Sequence, residues 1–127
     1  MKLINTNKAP MAIGPYSQAV QAGDYIFCSG QIGLDPVTMQ IAEGGIDAQT
    51  RQVFANIKAV LTNQNLSLRD VVKVQVFLQN IDDFSFVNNI YAEYMNGHKP
   101  ARDTAEVSKL PLKALIEISV VACSETK

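Results

Sequence analysis

An α+β fold, a mixed β-sheet with two helices packed on one face, is what this sequence predicts, on three observations. Apolar residues recur at a spacing of three and four in only two segments. Other segments run or alternate as apolar, β-branched stretches of strand length. The order along the chain is strands, helix, strand, helix, strands. Such an order suits a layered arrangement with both helices on the same side of the sheet. At 127 residues the expectation is a single domain over 1–127, long enough to bury a core without disulfides or metal.

Taken in order, the chain to about Pro15 is polar and turn-rich, with Pro10, Gly14 and Pro15. Residues 16–21 predict a short strand, which the turn at Gly23-Asp24 joins to a buried strand over 25–29 that Gly30 ends. Residues 31–34 extend it to the turn at Asp35-Pro36. Gly44-Gly45 breaks the chain before the first helix, with Asp47 as its N-cap and Val53, Phe54, Ile57, Val60 and Leu61 on its buried face. Residues 71–78, rich in valine, predict the next strand. Asp82 or Asp83 caps the second helix, whose buried stripe is Phe84, Val87, Ile90 or Tyr91, and Tyr94, with Gly97 as its stop. Residues 103–107 predict a short strand, Leu110-Pro111 a break, and 115–123 the last strand. Within that strand Ile116, Ile118, Val120 and Ala122 share one face, and Glu117, Ser119, Val121 and Cys123 the other. Neither reads as a solvent face. The sheet face without helices must be polar or covered by another copy, which predicts an oligomer with Glu117 near an interface.

The composition narrows the function. A formal charge of -1, with 18% charged residues and no basic run, offers no field for gathering nucleic acid or an anionic membrane. Cys28 and Cys123 form no CxxC motif, and a single histidine, His98, leaves no metal-ligand spacing. The two cysteines read as small buried hydrophobes. With no charged-then-apolar leader and no apolar run of membrane-spanning length, the expected location is cytoplasmic.

Chemistry concentrates near the C-terminus. Arg102 falls in a loop after a helix-like segment, and Glu117 inside an otherwise apolar strand. A guanidinium offers two parallel donors to a carboxylate. A carboxyl group in an apolar strand is costly to bury, and such groups carry shifted pKa values that suit proton transfer. Together they look like a site for a small carboxylic acid. The blander readings are a surface pair of Arg102 with Asp103 or Glu106, an ion pair between subunits at Glu117, a core role for Tyr16, a bulge at Ser29-Gly30, a solvent-facing Asn88 and a helix-end cation at His98.

Five segments in register carry a more specific signal: Ile13-Gly-Pro-Tyr-Ser-Gln-Ala19, Cys28-Ser-Gly-Gln-Ile32, Phe84-Ser-Phe-Val-Asn88, Pro100-Ala-Arg102 and Glu106-Val-Ser-Lys-Leu-Pro111. Through them the chain resembles, over nearly its whole length, the Rid family, also called YjgF or L-PSP. The resemblance implies a chorismate-mutase-like homotrimer with an active site in each cleft between subunits. It also implies hydrolysis of 2-enamines and 2-imines, such as 2-aminoacrylate, to 2-oxo acids and ammonia, without cofactor or metal. Arg102 then clamps the substrate carboxylate and Glu117 holds and polarises a water. Tyr16, Ser29 and Asn88 line the cleft, and the backbone at Gly30 and Thr104 completes it.

The chain departs from the common Ser-Cys after the arginine, reading Asp103-Thr104. A threonine hydroxyl is no thiolate near neutral pH. A site that works by carboxylate clamping and water delivery should tolerate it with altered affinity or substrate range. Which way Asp103 faces is left open by strand alternation alone. Two other functions are weighed: a trimer that binds a small acid without turning it over, and an endoribonuclease, which one histidine and no basic patch support poorly.

Overall fold

The computed structural model describes residues 1–126. Its strands are β1 (Lys2–Ile4), β2 (Ala19–Ala22), β3 (Tyr25–Cys28), β4 (Gln31–Ile32), β5 (Val71–Leu78), β6 (Ala101–Glu106) and β7 (Ile116–Cys123); its helices are α1 (Gly45–Asn63) and α2 (Phe84–Met95). One seven-stranded sheet runs β1-β2-β3-β7-β5-β6, with β4 also against β7. All pairs are antiparallel except β5 with β6. Those two are parallel because the chain crosses between them through α2, as a parallel connection requires. The expected α+β architecture, a mixed sheet with two helices on one face, is what forms.

The core lies between that face and the helices. Val53, Phe54, Ile57, Val60 and Leu61 of α1 pack with Val87 and Tyr91 of α2 against Val74, Val76, Ile116, Ile118 and Val120 of the sheet, all buried. Burying each large aliphatic side chain contributes about 1.5–3 kcal/mol. The helices are further joined by rings, Phe54 stacking on Tyr94 at 4.6 Å and meeting Tyr91 edge-on at 6.0 Å. Among the described residues no helix covers the opposite face. Tyr25 and Phe27 stand there 48% and 49% exposed; Val121 lies across from Phe27, and strand register puts the Lys73–Val121, Gln75–Ser119 and Phe77–Glu117 pairs farther along the same face. Among the described residues no helix is long and apolar enough to cross a membrane.

Several local expectations are corrected. The strand expected over 16–21 begins only at Ala19, so Tyr16 lies in the preceding loop. Lys2–Ile4, within the segment read as turns, pairs with β2 as an edge strand. Asp47 is not the N-cap: Gly44 and Gly45, at φ 120° and 71°, start the helix earlier and place Asp47 in its first turn. There its carboxylate faces the positive helix end and pairs with Arg51 at 2.8 Å. Asp83 does stand at the N-cap of α2, but its side chain makes no cap bond; Asn80 accepts from the Asp82 N–H and caps a 3-10 turn that runs into the helix. The strand expected over 103–107 spans Ala101–Glu106, so Arg102 belongs to a strand and not to a loop. Its pairing with β5 begins at Lys73↔Ala101, immediately after Pro100, which has no N–H to give.

Buried amides fix the loops that border the sheet. Gln18, 2% exposed, donates to the carbonyls of Thr6, Ala9 and Pro10 and accepts from the Thr6 N–H at 2.6 Å. Asn56 of α1 donates to the carbonyls of Ile32 and Leu34, and Gln49 accepts from the Leu115 N–H at 2.9 Å. Gln18→Ala leaves three carbonyls without their donor. It should cost about 2 kcal/mol or more by denaturant unfolding and raise amide exchange selectively over residues 5–10. Unchanged exchange there would show that the segment is held by other contacts.

Candidate active site

Arg102 and Thr104 point to the helix-covered face of β6, since their register partners Val74 and Val76 are core residues. At this sheet edge the Arg102 guanidinium packs on two rings of α2, 4.6 Å from the Tyr91 centroid and 5.2 Å from that of Phe84. Its Nη1 donates to Asn88 Oδ1 at 2.8 Å. Asn88 lies one position past Val87 on the helix, which brings it to the rim of the packed stripe. Arg102, Asn88 and Tyr91 line a cavity of about 430 Å³ together with His98 and Lys99, and among the described residues none in its wall is acidic. The His98 ring is held by Val71 O at 2.7 Å. Asp103 faces the other way and pairs with Lys73 at 2.8 Å, so its charge is not spent on Arg102.

Glu117 occupies the open face of β7, opposite Phe77. It lines a second cavity, of about 440 Å³, with Tyr16, Ser29, Gly30, Ile32 and Leu112. The strand context desolvates its carboxyl and pushes its pKa above the ordinary carboxylate value. Gly30 is the close neighbour: a Cβ there would come within 2.7 Å of Glu117 Cδ. Ser29 Oγ donates to Ser17 O at 2.7 Å, which leaves its lone pairs to accept. The Tyr16 hydroxyl is exposed and accepts from the Ile13 N–H at 3.4 Å. The rim at Leu112 is strained, with Leu112 and Lys113 adjacent at φ 55° and 58°. Left-handed backbone at such residues costs about 1–3 kcal/mol each and concentrates at functional sites.

The expected residues thus separate into two groups. Tyr16, Ser29, Gly30 and Glu117 share one cavity and Asn88 and Arg102 the other. Thr104 shares the face of Arg102. Arg102 and Glu117, read from sequence as one site, are on opposite faces of the sheet within a chain. Sequence reasoning gave no site role to Tyr91, Phe84, Gln18 or Leu112. Gln18 stood in a quoted segment, and Tyr91 and Phe84 were read as core; nothing in a leucine signals a left-handed backbone. The cysteines stay outside this chemistry, Cys123 buried and the Cys28 thiol pushed up to about 12 by burial.

Two outcomes follow from the Glu117 environment. Folding favours its protonated form, so its contribution to stability is full below the unfolded-state pKa of about 4.3 and is lost as pH rises through the higher folded value. Glu117→Gln should therefore unfold at higher temperature than the parent at neutral pH, and the gap should close below about pH 4. A gap that stays constant with pH would assign the effect to packing. Gly30→Ala meets only the end of a flexible side chain, so it should move the melting temperature little while displacing the Glu117 carboxyl. Activity should fall about tenfold or more; an unchanged rate would show that the carboxyl position is unimportant.

A family model described as Endoribonuclease L-PSP matches residues 6–124. A RutC family protein of Pyrococcus horikoshii is 51% identical over 98% of each chain. A 2-iminobutanoate/2-iminopropanoate deaminase of Mus musculus is 43% identical over 95% of this chain and 90% of its own. Among solved structures, RidA from the Antarctic bacterium Psychrobacter superposes with a TM-score of 0.93 at 41% identity, over 97% of this chain and 99% of its own.

Proposed function

Since this chain belongs to the L-PSP family, that of the Rid and YjgF proteins, we propose that it is a 2-enamine/2-imine deaminase converting small imino acids such as 2-aminoacrylate to 2-oxo acids and ammonia. The observation that carries this reading is the division of the site. Among the described residues, one cavity has an arginine without a carboxylate partner and no acid in its wall, and the other has a desolvated carboxyl group. A substrate with a carboxylate at one end and a hydrolysable C=N at the other matches the pair, provided the two cavities come from different copies. The uncovered face bearing Tyr25, Phe27 and Val121 is the surface on which copies would assemble, as a homotrimer with a site in each cleft.

In this mechanism Arg102, oriented by Asn88 and the two rings, takes the substrate carboxylate in a bidentate pair. Protonation of the enamine at C3, with loss of a proton from its nitrogen, gives the imine. Glu117 of a neighbouring copy removes a proton from water as its oxygen attacks C2, then returns it to nitrogen. Glu117 then takes the proton of the new C2 hydroxyl and passes it to the nitrogen. The C–N bond breaks as the C2=O bond forms, ammonia leaves, and the 2-oxo acid remains, so that imine and water balance oxo acid and ammonia. Ser29 accepts from the water or the leaving ammonia, and Tyr16 closes that wall. Thr104 beside Arg102 requires no thiolate. Proton transfer by a placed carboxyl group contributes about 10²–10⁴-fold.

The test is clearance of 2-aminoacrylate made in situ by a serine or threonine dehydratase. Arg102→Ala and Glu117→Gln should each lose about 100-fold or more. Dissociated, mixed and reassembled, the two inactive proteins should regain roughly a quarter of the parent rate, since random assembly pairs an intact Arg102 with an intact Glu117 at one interface in four. Full activity of Arg102→Ala, or no recovery on mixing, would overturn the reading.

A further inference from the structure

Three of the large apolar side chains that the fold leaves exposed gather at one place. Met11, Ile13 and Leu112, 67%, 68% and 62% exposed, all line the cavity of Glu117. They come from two segments far apart in sequence, the loop before β2 and the break before β7. Ile32 of β4, a buried residue, belongs to the same wall. Single exposed apolar residues are ordinary on a protein surface, but a cluster of them on one cavity wall marks a place where something apolar sits.

Leu112 is the most telling of the three. Its backbone stands at φ 55°, next to Lys113 at φ 58°, in a region that glycine and asparagine enter easily and leucine seldom. Such strain persists only where something offsets it. Packing within the chain does not, since the side chain is mostly exposed. The leucine is held out at a cost, on the wall of the cavity that contains the Glu117 carboxyl. A 2-imino acid suits that arrangement. Its C2 carries the nitrogen, the carboxylate and the side chain. With the carboxylate on Arg102 and C2 at Glu117, the side chain is the part left to meet the apolar wall. The cavity, about 440 Å³, is of a size that holds ligands much larger than a three-carbon acid. A chain with more methylenes would cover more of the wall and be bound more tightly for it.

We propose that Met11 and Leu112 form the seat of the substrate's side chain, and that this seat selects 2-imino acids with an aliphatic chain of the size leucine carries over three-carbon ones. This rests on the reading that the Glu117 cavity is half of a deaminase site. It adds two specificity-determining residues that do not touch the reacting atoms.

The experiment compares kcat/KM for two imines, made in situ by an amino-acid oxidase from leucine and from alanine. It uses the native assembly of the parent, Leu112→Asn and Met11→Ala, with mass by light scattering and melting temperature taken for each. The parent should favour the leucine-derived imine about tenfold or more, the discrimination that even one methylene in an apolar pocket supplies. Leu112→Asn puts a residue that takes left-handed backbone readily at a strained position, so it should melt at the parent temperature or above it. It should also lose most of the preference, through a raised KM for the longer imine. Met11→Ala should lower the ratio in the same direction. A parent that favours the alanine-derived imine, or an unchanged ratio in either variant, would overturn the inference and leave the deaminase reading intact. A variant that melts well below the parent, or whose assembly falls apart, would assign its side chain to packing or to contact between copies, and would also overturn it. No turnover of either imine by the parent would overturn the underlying reading instead.

Discussion

Side-chain alternation across β7, β5 and β6 is the constraint from which the rest of the molecule follows. Successive residues of a strand face opposite sides of the sheet. Ile116, Ile118 and Val120 must face the helices to close the core, so Glu117 has to face the open side. By the same rule Val74 and Val76 carry Arg102 and Thr104 to the helix side of the edge strand. The two groups that sequence reading joins into one site are therefore kept apart in a chain by the packing that makes the chain fold. Under the proposed function, the chemistry that needs both would draw them from two copies.

Each half is electrostatically incomplete in a complementary way. Arg102 is held by neutral contacts, an amide oxygen and two aromatic faces, which orient the guanidinium without cancelling its charge. Glu117 sits where ionisation is resisted by lost hydration and not by a neighbouring anion. The neighbouring Asp103 is directed by the strand to Lys73, so it leaves the charge of Arg102 available to an anion.

The features legible in the sequence were those set by periodicity. The α1 stripe from Val53 to Leu61, the valine-rich β5 and the alternation of β7 all follow from residue type repeated at a fixed spacing. The cavity residues Arg102, Glu117, Ser29, Gly30 and Asn88 were legible through motif resemblance, and Glu117 through its apolar context as well. Caps were read less well. Asp47 lost its cap position to the Gly44-Gly45 backbone, and Asp83 stands at the α2 N-cap without a side-chain cap bond, because Asn80 caps the 3-10 turn that leads into the helix. Buried amides such as Gln18 and Asn56 were invisible because their partners are backbone carbonyls distant in sequence, and carbonyls leave no trace in a residue code.

The replacement of a common Ser-Cys by Asp103-Thr104 bears on the site only through register. In β6, Asp103 stands opposite Gln75 on the open face, while Arg102 and Thr104 stand opposite Val74 and Val76. A slip of one residue would exchange these faces, placing a carboxylate at the ring-lined cavity and the arginine outside. Two contacts oppose that slip from opposite sides of the strand: the Lys73–Asp103 pair on the open face, and the seat of Arg102 between Asn88 and the rings on the other. Asp103 is then a residue that holds the arginine's direction while keeping its own charge out of the cavity. Thr104, on the correct face but without a thiolate, is compatible with a site whose work is done by an anion clamp and a carboxyl group.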